Sequence, residues 1–208
     1  VKYKMNFLAL CYLSLFDAKL TGNRWWAPLP PAKREAYEEV VRSCQEYGIQ
    51  FCFCMNPNRG STRPLQYDSE KDINDLFAHY AWMQGLGVKW FSLCLDDITT
   101  GIDASGQARV VAEMLRRLRA KDPEAQMIFC PTVYWGQGDK GTPYLQTLAR
   151  ELPQDVYVFW TGPQVFSGHT GADCARGYRA AIKRRLIFWD NYPVNDDSMI
   201  LHLGPVIE

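Results

Sequence analysis

The densest chemistry in the sequence is Asp96 and Asp97, adjacent carboxylates that close the apolar run 90–95 (WFSLCL). Two carboxylates held together raise each other's proton affinity, so one can stay protonated near neutrality and serve as an acid. Two plainer uses stay open. One carboxylate can cap the following helix while the other is solvated, or the pair can hold Mg²⁺. Further polar residues stand at or just past the ends of other apolar runs: Cys11 and Tyr12, then Asn56 and Arg59, then Tyr134, then Thr161 and Gly162. Asp190, Asn191, Asn195, Asp196 and Asp197 follow the sixth run, and none of the three His residues joins the set. Rings, amides and carboxyls in one place suit a sugar: rings pack on its C–H face, and fixed donors and acceptors read its hydroxyls.

The spacing also limits the reaction. A glycosidase with a protein nucleophile needs two carboxyls about 5–5.5 Å apart on either side of the sugar, and an inverting one needs about 6.5–9.5 Å. Neighbours at one strand end do not straddle a ring easily. They can work from one side, one protonating the leaving oxygen while the other holds a group of the substrate, which is the logic of substrate-assisted cleavage.

These residues need a scaffold that brings strand ends together. The chain alternates short apolar runs with stretches of helical period, each closed by Gly or Pro. The runs are 5–12, 49–55, 90–95, 127–133, 156–160, 186–189 and a short seventh at 200–203. Between them, apolar residues recur at helical spacing: Tyr37, Val40, Val41 and Cys44; Ile73, Leu76, Phe77 and Tyr80 behind a Ser69 N-cap; Val110, Val111, Met114 and Leu118; Tyr144, Leu145 and Leu148; Cys174, Tyr178 and Ile182. Uninterrupted apolar strands alternating with helices mean a parallel sheet buried on both faces. There is no Walker pattern, and the one G-x-G-x-x-G match, 136–141 (GQGDKG), reads as a polar loop, so no nucleotide cofactor is expected and a (β/α)8 TIM-type barrel is favoured over a doubly wound sheet. Such a barrel puts its catalytic residues at the C-terminal ends of its strands. Residues 1–208 read as a single partial barrel domain, short of its first strand and its C-terminal end.

Composition narrows the partners. Lys plus Arg equals Asp plus Glu at 23 each, so the net charge is zero. Nothing builds the basic field that nucleic acid or an anionic membrane requires. No apolar run approaches the roughly 20 residues of a membrane span. Seven Cys is an odd number, and Cys11, Cys52, Cys54, Cys94 and Cys130 stand inside apolar runs. They read as small buried hydrophobes in a reducing, cytoplasmic setting and not as a disulfide or metal framework.

Several motifs together resemble glycoside hydrolase family 84, the β-N-acetylglucosaminidases that include O-GlcNAcase. They are Met5-Asn6, the segment 86–88 (LGV) leading into 90–98 (WFSLCLDDI), 130–134 (CPTVY), 160–163 (WTGP), 189–196 (WDNYPVND) and 203–205 (LGP), in the family's order. The resemblance implies a retaining exo-β-N-acetylglucosaminidase that passes through an oxazoline and acts on a glycan or glycoprotein carrying N-acetylglucosamine. Asp96 would orient the acetamido N–H, Asp97 would be the general acid and then the general base, and Tyr134 would bond near the reacting acetamido oxygen. Trp189 would wall the sugar pocket, Asn191 would add a polar contact, and Asp196 would bind outer hydroxyls. No metal or other cofactor is implied. The family's substrate-contacting Lys has Lys19 as its candidate here, while Leu13 occupies the place that simple spacing gives it. A catalytically inactive sugar-binding barrel and a Mg²⁺-dependent barrel enzyme are the alternative functions.

Overall fold

The computed structural model describes residues 5–10, 12–16 and 22–191. In chain order the elements are β1 (Phe7–Ala9), a 3₁₀ turn (Tyr12–Ser14), α1 (Pro31–Glu46), β2 (Gln50–Met55), α2 (Glu70–Gly85) and β3 (Trp90–Cys94). They continue with α3 (Ala104–Lys121), β4 (Gln126–Cys130), α4 (Thr142–Glu151), β5 (Tyr157–Trp160), α5 (Ala172–Ile182) and β6 (Arg185–Phe188). The strands form one six-stranded sheet in sequential order, parallel at every junction. Sequential order means that each crossover leads to the next strand, and right-handed crossovers then stack the helices on one side of a sheet that curls. The described residues therefore make an open half-barrel, consistent with the partial TIM-type barrel that the pattern predicts, and closure by eight strands is not seen among them. The seventh apolar run, 200–203, lies outside the described residues.

Local chemistry accounts for the element ends. Pro31 opens α1, where its missing N–H costs nothing. The Ser69 hydroxyl accepts the Asp72 N–H at 3.2 Å and caps α2. Gly48 and Gly87 take positive φ (68° and 86°) just after α1 and α2, which lets the chain reverse into the next strand. Two runs are shorter strands than their apolar length suggests. Run 127–133 stops pairing at Cys130, because Pro131 has no N–H for the ladder. In run 5–12 only Phe7–Ala9 pairs, and Tyr12 already belongs to the 3₁₀ turn.

Alternation along each strand separates two kinds of interior. Phe53, Phe91, Leu93, Met127, Phe129 and Val158 pack beneath the helices against residues such as Leu76, Tyr80, Val111, Met114 and Leu118. Cys52, Cys54, Cys94, Ile128, Cys130 and Phe159 face the concave side. Burial on both faces is why the strands read as continuous apolar runs. The first residues of β1, β3 and β5 close the bottom with rings: Phe7 meets Trp90 edge-on at 5.2 Å, and Trp90 lies 5.4 Å from Tyr157. Above this floor the concave face is lined by small thiols, which leaves space beneath the strand tips.

Phe91 is fully buried and packs edge-to-face on Tyr80 at 5.6 Å. Phe91→Ala should therefore lower stability by about 3–5 kcal/mol, the usual cost of emptying an aromatic core site. Urea denaturation would read the loss as a lower midpoint at unchanged slope.

Candidate active site

Asp96 lies two residues beyond Cys94 and so shares its concave face. It is almost fully buried. Tyr12 donates its hydroxyl to one carboxylate oxygen at 2.5 Å, and Asn56 Nδ2 donates to the other at 3.0 Å. By alternation alone Asp97 would point back toward the helices. It does not, because Asp97 adopts a left-handed conformation (φ 56°) that only a few non-glycine residues, Asp among them, tolerate. That turn brings its carboxylate to Tyr134, whose hydroxyl donates at 3.0 Å, and to the guanidinium of Arg59. Asp97 and Arg59 keep 39% and 30% of their side chains exposed, so a substrate can replace this ion pair.

The loops that bring the partners are themselves clamped. The Asn56 side chain accepts the backbone N–H groups of Asn58 and Arg59 at 3.0 and 2.9 Å. Asn23 Nδ2 donates to the carbonyls of Asn56 and Arg59, both at 2.8 Å. The turns after β4 and β5 are tied together by Thr161 N–H to Tyr134 C=O at 3.0 Å and Gly136 N–H to Gly162 C=O at 2.9 Å. Gly162 sits at φ 105°, and a Cβ there would collide with Ser167 and Thr170, so the WTGP turn requires glycine.

A cavity of about 240 Å³ lies between these loops, bordered by Asp96, Asp97, Tyr134, Trp189 and Asn191, with Tyr12, Leu13 and Arg59 completing the mouth. Five of the six residues expected to form a site thus share one pocket; the sixth, Asp196, lies outside the described residues, as does Lys19. The Trp189 ring packs against Phe159 at 5.2 Å and forms a wall, whereas Trp160 is buried on the helix side with its indole N–H on Gly136 C=O and serves as scaffold. Asn191 gives its amide N–H to the Val165 carbonyl at 3.1 Å. The Tyr134 hydroxyl is committed to Asp97. Sequence position placed Tyr12, Asn56 and Arg59 at strand ends without assigning them partners. Val165 and Phe166, which also line the pocket, carry no sequence signal at all.

The electrostatics follow from burial. Burial is the main cause that pushes the Asp96 carboxyl up to about 6; the Asp97 charge adds to it, and the Tyr12 hydrogen bond and Arg59 oppose it. Burial, then the adjacent carboxylates, push the Tyr12 and Tyr134 phenols up as well, so both remain neutral donors. A Mg²⁺ site fits poorly. Mg²⁺ requires near-octahedral oxygen coordination, and Arg59 already supplies the cation beside Asp97. The described residues do bring three potential ligands for a softer ion together, at Cys94, Asp96 and Cys130. No described helix is long and apolar enough to cross a membrane.

The family model for β-N-acetylglucosaminidase matches residues 12–208. The chain belongs to that family. It is similar to the protein O-GlcNAcases of Rattus norvegicus and Mus musculus, each 28% identical over 181 residues, which is 80% of this chain and 19% of the relative. The chain thus spans about a fifth of the length of these curated relatives. Among solved structures, a point mutant of the Thermobaculum terrenum O-GlcNAc hydrolase superposes with a TM-score of 0.79 at 25% identity, covering 92% of this chain and 42% of that one. This family is the one the motifs around Asp96–Asp97, Tyr134 and Trp189 resemble.

The raised Asp96 carboxyl has a consequence for stability. Its proton is held more tightly in the folded state than in the unfolded one, so the folded state binds more protons between about pH 4 and 6. Stability must then fall as pH rises through that window, and the cost is fully present above it. Asp96→Asn should flatten this part of the stability–pH curve, measured by chemical denaturation at a series of pH values.

Proposed function

We propose that this chain carries the reacting centre of a retaining exo-β-N-acetylglucosaminidase in which the sugar's own acetamide is the nucleophile. The observation that carries the reading is the pair at the tip of β3. Asp96 is buried and held by two neutral donors, and Asp97 is half-exposed and turned into the same pocket. Asp96, ionised, accepts the acetamido N–H and sets the carbonyl oxygen toward the anomeric carbon. As that C–O bond forms, the bond to the leaving oxygen breaks, and Asp97, which has taken a proton from solvent once the substrate displaces Arg59, gives that proton to the leaving oxygen. Asp97, now ionised, takes a proton from the water that opens the oxazoline, and the β configuration is restored.

Other features support the assignment of roles. The pocket of about 240 Å³ is below the roughly 300–1,000 Å³ of drug-sized sites and suits one terminal sugar. Trp189 offers it a ring face, and Asn191 a polar edge. A second, polar cavity of about 540 Å³ also borders Asp97, together with Asn58, Gln66, Tyr67, Thr99 and Asp103. Asp97 lies where the two spaces meet, as an acid between a sugar and its leaving group must. Tyr134 holds the Asp97 carboxylate in register from the side. The substrate class is a glycan or glycoprotein with terminal β-linked N-acetylglucosamine.

Turnover of an aryl N-acetyl-β-glucosaminide, with none of the matching β-glucoside, is the expected result. Equal turnover of both would remove the acetamide from the mechanism. Asp97→Asn should lose about 10²–10⁴-fold on a poor leaving group and much less on a good one, while Asp96→Asn should lose activity on both alike. In the parent, kcat/KM should decline below about pH 6 as Asp96 gains a proton. An acid limb that survives unchanged in Asp96→Asn would overturn its role.

A further inference from the structure

Directly beneath the sugar pocket lie two thiols that glycoside cleavage does not use, grouped around Asp96. Cys94 and Cys130 are register partners on β3 and β4, both fully buried on the concave face. Their sulfurs and a carboxylate oxygen of Asp96 all lie within 4.8 Å of one another. Cys52 and Cys54 stand on the same face, with their sulfurs 3.9 Å apart. The cluster is not sealed. Cys130 and Asp96 border the sugar pocket, and Cys94 and Cys54 border a separate cavity of about 480 Å³ on the open side of the half-barrel.

We propose that Cys94, Cys130 and Asp96 form a binding site for a thiophilic divalent cation of the Zn²⁺ and Cd²⁺ class, and that occupancy of this site switches off the pocket above it. Two sulfurs and one carboxylate oxygen are three protein ligands of the kind such ions take, with a fourth position left for water, as in open tetrahedral sites. Metal–sulfur bonds of about 2.3 Å put two thiolates about 3.8 Å apart in a tetrahedron, so closing the cluster asks for about an ångström, within reach of cysteine side-chain rotation. Each Asp96 oxygen accepts one hydrogen bond, from Tyr12 or Asn56, and keeps a second lone pair for the ion. On binding, each thiol that is protonated releases its proton to solvent as its sulfur bonds the metal, and no electron is transferred. The cation then neutralises the carboxylate charge that makes Asp96 an acceptor for the acetamido N–H. Hard ions such as Mg²⁺ have no preference for this sulfur-bearing set.

The inhibitory consequence rests on the function proposed above, and binding does not, so the two are tested separately. Cadmium chloride added to the reduced full chain should bind with one equivalent and give the ultraviolet thiolate-to-cadmium absorption. Cys94→Ser and Cys130→Ser should each weaken binding at least about 100-fold, the upper end of what even outer-shell changes cost a metal site. Asp96→Asn keeps both thiols and should also weaken binding, which serves as a second variant should a cysteine substitution fail to fold. No absorption band in the parent, an undiminished band in the Cys94→Ser/Cys130→Ser double variant, or unchanged affinity in Asp96→Asn would each overturn the three-ligand site. In the activity arm, Cd²⁺ but not Mg²⁺ should inhibit aryl N-acetylglucosaminide turnover, and Cys94→Ser should relieve that inhibition. Stoichiometric binding at the cluster without inhibition would overturn the switch while leaving the binding site standing. A chain inactive on every aryl glycoside, yet binding Cd²⁺ at the cluster, would count against the proposed function alone.

Discussion

A single left-handed residue at the tip of β3 is the constraint on which the site depends. Strand alternation delivers one carboxylate of an adjacent pair to the concave face and turns the next one away. At Asp97 the backbone leaves the strand with φ 56°, and the second carboxylate swings into the same pocket. A non-glycine residue in this region costs roughly 1–2 kcal/mol, offset by the Tyr134 hydroxyl and the Arg59 guanidinium that meet the carboxylate there. Those partners are in turn held by the Asn56 turn, the Asn23 clamp and the crossed backbone bonds between the loops after β4 and β5. The loops are ordered by polar contacts that converge on one place, so the pair has a fixed geometry at a surface where loops are otherwise free.

The half-barrel beneath has graded chemistry. Rings at the starts of β1, β3 and β5 fill the floor, small thiols line the middle, and hydroxyls, amides and carboxylates crowd the strand tips. The gradient gives Asp96 its character. A carboxylate set above an apolar, thiol-lined layer is expensive to ionise, and the Tyr12 hydrogen bond and the Arg59 charge oppose that cost. Asp97, one residue on, meets solvent and an arginine. Two identical side chains thus have different environments because one belongs to the lumen and the other to the rim.

Much of the frame was legible beforehand. All six described strands fall within apolar runs or within a residue of them, and Ser69 caps the helix it was expected to cap. The exceptions have local causes: Pro131 cut one strand short, and the turn at Tyr12 cut another. That turn matters chemically, since it frees the Tyr12 hydroxyl to reach Asp96 across 84 residues of sequence. The same blindness covered the cysteines. Cys52, Cys54, Cys94 and Cys130 are buried as their apolar runs suggest, while Cys11 lies outside the described residues, but a linear pattern does not show that Cys94 and Cys130 are register partners beneath Asp96.

The order of apolar runs and helical stretches, the double Asp at a run's end and the motifs that follow it in sequence were enough to determine a parallel α/β frame, its family and the identity of most residues around the pocket. Those properties are local: hydrophobic period, capping and residue type survive in one dimension. The tertiary structure decided which way Asp97 faces, which oxygen each tyrosine, asparagine and arginine holds, how far the Asp96 carboxyl is raised, and that two thiols meet below it. Each of these depends on strand register and loop closure between residues far apart in the chain, and neither leaves a periodic trace in sequence.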